Sequence, residues 1–336
     1  SRRESQPLAD ATGTLCIAFD GRIDNRDELA AALRANRALL RSDTDAELAL
    51  HAYERWGEDC PAHILGDFAI AIWDGRARRL FCARDPLGMR PLCYRLEGRT
   101  FLLGSELHQL LGSDESFRPN EGMVGEYLLG APTSLEETLH TGILRLPAAH
   151  ALIAGAGGVR TSRYWDIDPA REVRCRTDRE YAECFSTIFD EAIRARLRSD
   201  GPVGVLLSGG LDSSSVLMTA SRAASGAPDP SPAIEAFSLT FPGRPWDEAR
   251  YVEAAVGAAR VRSHLFEARQ DGLASYAAQA RTYRDLPQYP NGATADGLKA
   301  LARERGVRVL LTGYGGDEWL TGSLYHTADL LRRLRL

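Results

Sequence analysis

Residues 203–217 read VGVLLSGGLDSSSVL, from Val203 to Leu217. The short apolar run Val203 to Leu207 is what a strand buried on both faces of a parallel sheet requires. It stops at Ser208, Gly209 and Gly210, and an apolar pattern at helical spacing resumes from Val216 to Ala224. Strand, small-residue loop and helix follow one another there. Two glycines let the backbone turn tightly and bring N–H groups close to an anion at the positive end of a helix. The serine hydroxyls add donors for phosphate oxygens. Asp212 would repel a bare phosphate, so its place predicts a cation between them, with Mg²⁺ the expected one. The loop lacks both the GxxxxGK(S/T) of Walker A and the GxGxxG of a dinucleotide fingerprint.

Outward from this loop, strand and helix alternate. A helix is expected over Tyr181 to Arg198, a second strand over Ala236 to Phe241 and a helix over Glu248 to Ala259. A further helix, Asp296 to Arg305, precedes a third strand at Val307 to Leu311. The pattern predicts a doubly wound α/β domain, whose ligands bind beyond the carboxyl ends of its strands. The third strand runs into Thr312-Gly313-Tyr314-Gly315-Gly316-Asp317-Glu318, where glycines again allow close backbone approach and Asp317 can meet Asp212 across one metal. Asp247 and Glu248 read either as extra acids or as a helix N-cap pair.

The first half has a different character. Helices are expected over Arg26 to Leu40 and Asp43 to Trp56, the second capped by Ser42 or Asp43. Phe68 to Trp73, an Asp74-Gly75 turn and Leu80 to Arg84 make a hairpin, and Pro91 to Tyr94 and Thr100 to Leu103 extend the meander. This is an α+β unit with antiparallel sheets. A Gly-rich, then charged stretch at 155–179 looks like the connection between domains.

The 336 residues suffice for two domains, and no apolar run reaches the roughly 18 residues of a membrane span. Ser-Arg-Arg-Glu-Ser at the start does not read as a secretory signal. A net charge of −5 argues against a nucleic-acid footprint. The six cysteines, Cys16, Cys60, Cys82, Cys93, Cys175 and Cys184, form no CxxC pair and read as reduced thiols of a cytoplasmic protein. Lys299 is the only lysine.

SGGLDSS resembles the pyrophosphate loop of the N-type ATP pyrophosphatases, and Gly313 to Glu318 resembles the SGEGSDE segment of asparagine synthetases. Phe19 to Leu29, Ser42 to Glu47, Leu65 to Asp74 and Ala83 to Leu92 are similar to the core segments of the class II glutaminase domain of that superfamily. The resemblance runs from about Cys16 to Tyr325. It implies a glutaminase-like α+β domain with antiparallel sheets over 1–170, then an α/β doubly wound parallel-sheet ATP pyrophosphatase domain over 171–336. It implies that ATP is held by Leu206, Leu207, Ser208, Gly209, Gly210, Leu211, Asp212, Ser213, Ser214, Leu239 and Gly313, with Mg²⁺ on Asp212 and Asp317. Tyr314, Asp212 and Asp317 are the implied catalytic residues.

The departures bear on the amine. A working glutaminase needs an N-terminal cysteine, and this chain begins with Ser1. The usual oxyanion-hole Asn-Gly is Asp20-Gly21, where a carboxylate would repel the developing oxyanion. The usual Glu is Arg22. We read the domain as a retained scaffold that releases no ammonia, so the amine comes from a substrate. β-Lactam synthetases and lasso peptide cyclases work so, and Tyr314 stands where the former carry a tyrosine that helps deprotonate the amine; it reads equally as pocket lining. FDGRIDNRDEL, YPNG (Tyr289 to Gly292) and GGDEWLTGS (Gly315 to Ser323) look most like lasso cyclases. The expected product is then a macrolactam made from a precursor peptide, with leader-binding and protease proteins as implied partners. Asparagine synthesis, a β-lactam-type reaction and a non-catalytic nucleotide-binding scaffold remain the alternatives. The family's phosphate-neutralising lysine follows the GGDE segment, whereas Lys299 precedes it; either an arginine substitutes or the sequence omits the C-terminal part, and we read it as omission.

Overall fold

The computed structural model describes residues 5–111, 118–131, 133–226, 231–268, 273–286, 292–317, 328 and 331–332. Internal packing divides the chain into Ser1–Glu172 with Ala277–Leu286, and Val173–Tyr276 with Pro287–Leu336. The sequence reading placed 277–286 with the second half, whereas its contacts join it to the first. No local signal marks such a change of allegiance.

In the first unit, β1 (Leu8–Ala9), β2 (Leu15–Ile23), α1 (Arg26–Ala35), α2 (Asp45–Trp56), β3 (Gly66–Asp74) and β4 (Arg79–Arg84) come first. They are followed by β5 (Cys93–Glu97), β6 (Thr100–Gly104), α3 (Leu107–Leu111), α4 (Glu121–Leu129), β7 (Leu144–Arg145), β8 (His150–Gly155) and β9 (Gly158–Arg163). Six strands form an antiparallel sheet in the order β1-β2-β3-β4-β8-β9, and β6-β5-β7 form a smaller one. Side-chain alternation along β3 explains the layering. Phe68, Ile70 and Ile72 face a core shared with Leu29 and Leu33 of α1 and Leu48 and Leu50 of α2. Ala69 and Ala71 face the opposite way, against Leu92, Tyr94 and Leu146, so the small sheet covers the other face.

Two helix limits differ from the expectation. The helix begun at Arg26 stops at Ala35, not Leu40, because Asn36 turns its side chain back onto the Ala32 carbonyl at 2.8 Å and Arg37 takes a φ of 66°. α2 starts at Asp45 with Thr44 as the cap accepting from the Glu47 N–H, in place of Ser42 or Asp43.

The second unit contains α5 (Asp178–Arg196), β10 (Val203–Leu206), α6 (Leu211–Ser225), β11 (Ile234–Thr240), α7 (Ala249–Ala259), β12 (Arg262–Glu267), α9 (Asp296–Glu304) and β13 (Val309–Leu311), with α8 (Leu273–Tyr283) passing from this unit into the first. Its sheet is parallel throughout, in the order β12-β11-β10-β13. Residues of α5, α6 and α7, among them Ile193, Leu217 and Val252, pack on one face around Val203 and Val205. Leu298 and Ala302 of α9 cover the other face against Phe237. This is the doubly wound arrangement the pattern predicts. The strand order reverses between β10 and β13, so a crevice opens there at the carboxyl ends. Among the described residues no helix is long and apolar enough to cross a membrane.

Candidate active site

β10 is the central strand, hydrogen-bonded to β11 on one side and β13 on the other. Gly204 is required within it: a β-carbon there would lie 2.6 Å from Leu310 Cδ1 and 3.0 Å from Val307 Cγ1. The Leu207 N–H still reaches the Phe237 carbonyl at 2.8 Å, and the chain then leaves the sheet. Gly209 has a φ of +90°, a conformation that favours glycine, and its β-position is backed at 3.0 Å by Tyr251 Cβ of α7. Gly210 caps α6 with extended backbone and offers no side-chain bond to the helix N–H groups. The Ser214 N–H is the first to find a carbonyl, that of Gly210 at 3.1 Å. The N–H groups of the first turn, Leu211 to Ser213, therefore suit an external anion.

The serines divide the work differently from the expectation. Ser213 is buried, and its hydroxyl accepts from the Ser208 N–H at 3.2 Å, lies 3.0 Å from Ser208 Oγ and donates to the Gly210 carbonyl at 3.3 Å. It braces the loop, which leaves its backbone N–H and the exposed Ser208 as the groups that could meet a phosphate.

The β13 end is packed directly onto this loop. A β-carbon on Gly313 would lie 2.7 Å from the Ser213 nitrogen, and one on Gly316 would collide with the Asp212 carboxylate at both oxygens. Backbone from the second loop thus lies against the one acid of the first, and Asp317 is the next residue. Asp317 is exposed. Tyr314 stands on the turn between these glycines, 73% exposed, with its N–H on Thr312 Oγ1 at 3.3 Å. Glu318 and the rest of GGDEWLTGS lie outside the described residues, as do residues 289–291 of YPNG.

The donor chemistry fits Mg²⁺. That ion takes one or two carboxylates together with substrate phosphates and water rather than an all-protein cage. Asp212 and Asp317 are the residues that would supply the carboxylates. Asp247 spends its carboxylate on the Phe241 N–H at 3.1 Å, and Glu248 is the N-cap residue of α7 without a side-chain cap bond. Leu206 and Leu239 pack their side chains toward the Phe237 cluster, which leaves their backbone as the part that could meet a ligand. Lys299 is paired with Asp296 at 3.3 Å on the surface of α9. Tyr251 escaped the sequence reading, since nothing in a helix sequence says which loop its β-carbon backs.

In the first unit, Asp20 lies 3.7 Å from Arg90 Nη1 with its side chain half exposed. Gly21 has a φ of +150° and a β-position 2.0 Å from the Asp67 carbonyl, so the sheet itself demands glycine. Arg22 Nε donates to Asp24 Oδ1 at 2.8 Å, and both side chains are largely buried. The charge at Arg22 is matched inside the domain.

Residues 1–165 match the glutamine amidotransferase domain family, and residues 185–336 match the asparagine synthase family. Among curated relatives, the glutamine-hydrolysing asparagine synthetase 3 of Bacillus subtilis is 30% identical over 332 residues, 94% of this chain and 53% of that protein. Asparagine synthetase 1 of the same organism is 26% identical over 94% of this chain and 49% of its own length. The amidase chyE of Penicillium rubens is 26% identical over 97% of this chain and 50% of its own. The chain spans about half the length of these relatives.

Proposed function

Because this chain belongs to the asparagine synthetase superfamily by its paired amidotransferase and synthase domains, we infer that it activates a carboxyl group with ATP in the crevice between β10 and β13 and passes it to an amine. The substrate carboxylate attacks the α-phosphorus, the bond from that phosphorus to the β-phosphate bridge breaks, and pyrophosphate leaves. An amine then attacks the acyl carbon, AMP departs, and the amine loses one proton. A bound Mg²⁺ would neutralise phosphate charge in both states. The first-turn N–H groups of α6 and the Ser208 hydroxyl orient the departing pyrophosphate, while Gly313 and Gly316 let the second loop close on Asp212.

The observation that carries this reading is the contact of Gly313 and Gly316 with Ser213 and Asp212 at the strand-order reversal. Asp212→Ala tests it: carboxylate-dependent ATP–pyrophosphate exchange should fall by on the order of a hundredfold or more. Retained exchange would sink the metal role.

For the amine, Asp20 and the Arg22–Asp24 pair favour a substrate amine over ammonia, and the likeness of FDGRIDNRDEL, YPNG and GGDEWLTGS to lasso cyclases favours, within that class, macrolactam closure of a precursor peptide between its N-terminal amine and an Asp or Glu side chain. Such a precursor would arrive with a leader-binding protein and a protease. Tyr314, exposed at the crevice, is the candidate to receive the amine proton; a phenol, ordinarily near pKa 10, does so only by passing its own proton to a carboxylate partner. The second reading is asparagine or β-lactam-type synthesis on a small amino acid, and the relatives' own names speak for its asparagine branch. Incubation with ATP and either a precursor peptide or aspartate plus glutamine separates the two: loss of one water from the peptide supports the first, asparagine formation the second.

A further inference from the structure

Three contacts fold the chain leading into α5 back along the start of that helix. The Thr177 side chain accepts from the Glu180 N–H at 3.2 Å, which fixes where the helix begins. The Arg176 N–H donates to Glu180 Oε2 at 2.7 Å, and the Tyr181 hydroxyl donates to the Val173 carbonyl at 3.3 Å. Glu180, Tyr181 and Cys184 lie on one face of α5, because helical positions three and four apart are neighbours. Residues 173–176 therefore run over that face, and Cys175 sits between the two bonded positions, Val173 and Arg176. Cys184 is the next side chain along the same face, one turn on from Glu180. Helical side chains lean toward the N-terminus, which here is toward Cys175.

Both thiols are free, with Cys175 partly covered and Cys184 exposed. Loss of hydration raises the Cys175 pKa first, and the Cys184 sulfur and then the Glu180 carboxylate raise it further. Such influences act over short distances, in agreement with the placement the hydrogen bonds give. An exposed thiol alone takes up a cap from an oxidant and keeps it. A second thiol behind it can displace that cap, so the pair has the arrangement of an attacking and a resolving cysteine.

We propose that Cys175 and Cys184 form a redox-modification site, which closes reversibly to a disulfide with a small-molecule disulfide as the oxidant. The exposed Cys184 thiolate attacks one sulfur of that oxidant, whose S–S bond breaks and releases the first small thiolate. The Cys175 thiolate then attacks the Cys184 sulfur, the bond between the two cysteines forms, and the second small thiolate leaves. The protein gives up two electrons and two protons, and the oxidant becomes two thiols. An excess of small thiol runs the same steps backwards. The bond closes a loop over the α5 N-cap and pins Cys175, just past the unit boundary at Glu172, to the second turn of α5.

The test uses the full chain, reduced and then exposed to oxidised glutathione under native conditions. Arg176 and Arg179 lie between the two cysteines, so trypsin leaves peptides that only the new bond joins. The wild type should show the Cys175–Cys184 link in about tenfold excess over glutathione held on either cysteine, and dithiothreitol should remove it. Cys175→Ser should instead keep glutathione on Cys184, while Cys16→Ser should still form the link. Stable glutathione on Cys184 of the wild type, with Cys175 unreacted, overturns the proposal, as does an absence of reaction at both thiols. A link that forms only in urea overturns it as well, because the native fold would then hold the sulfurs apart.

Discussion

At Gly316 a single hydrogen decides whether the Asp212 carboxylate has room. A methyl there would overlap both carboxylate oxygens, so the carboxylate would have to turn away from the position it holds. Gly316→Ala should therefore lower ATP–pyrophosphate exchange by about a hundredfold while the melting temperature moves by only a few degrees; wild-type exchange in this variant would show that the two loops are not coupled. Asp85 tells the complementary story in the first unit. Its carboxylate accepts from the backbone N–H groups of Phe68, Leu87, Met89 and Arg90, and it is 1% exposed. Arg84 beside it donates to three carbonyls, of Gly88, Arg90 and Leu146. Asp85→Ala leaves buried donors without acceptors and should cost about 3 kcal/mol or more in urea unfolding. The Ala83 to Leu92 segment was legible by resemblance alone. That its aspartate organises a turn, while the arginine clamps it, depends on which backbone groups converge, and no residue pattern states that.

Single elements were legible where periodicity and punctuation agree. β10 and the hairpin of β3 and β4 fall where the apolar runs and the Asp74-Gly75 turn put them. α6 starts at Leu211, five residues before its apolar spacing becomes visible, because Asp212, Ser213 and Ser214 look like loop in sequence while Gly210 already caps the helix. β12, with exposed or half-exposed residues at an edge, has no buried-strand signature and was not foreseen. Caps are testable at this scale: Thr44→Ala should cost α2 about 1 kcal/mol. Acid sensitivity belongs here too. Burial alone would raise the Asp10 carboxyl, but hydrogen bonds from Thr12, Leu15 and Thr14 outweigh it and hold it at about 2, against 3.8 ordinarily. A carboxylate depressed on folding contributes stability that is present above its unfolded value near 4 and is lost as pH falls through about 2. Asp10→Asn should flatten the pH dependence of the urea midpoint between pH 4 and 2, and an unchanged slope would show that Asp10 is not the group responsible. Glu47 acts in the same direction: burial pushes it up, and Arg41 more than reverses this.

Across the whole molecule the thiols report how tightly each region is closed. Cys184 is exposed and Cys175 and Cys16 are partly covered, whereas Cys60, Cys82 and Cys93 are buried and burial raises their pKa. A native thiol titration should therefore label Cys184 first and leave Cys60, Cys82 and Cys93 unmodified until the chain unfolds; early labelling of Cys82 would contradict the packing of the two sheets in the first unit. The sequence by itself determined the two-domain order, the antiparallel and parallel characters of the halves, and the pairing of a glycine-rich anion loop with an acid. These depend on local propensity and side-chain period, which are written along the chain. Only the tertiary structure decided that Ser213 braces the loop, that Gly313 and Gly316 press the β13 loop onto Asp212, that Asp247 serves the Phe241 N–H, and that Tyr251 backs Gly209. The Gly313, Gly316 and Tyr251 contacts join segments far apart in sequence and are set by strand order in the sheet. The Ser213 and Asp247 bonds close within single turns, where the backbone path decides which N–H a side chain meets. Neither kind of contact leaves a mark in the residue pattern.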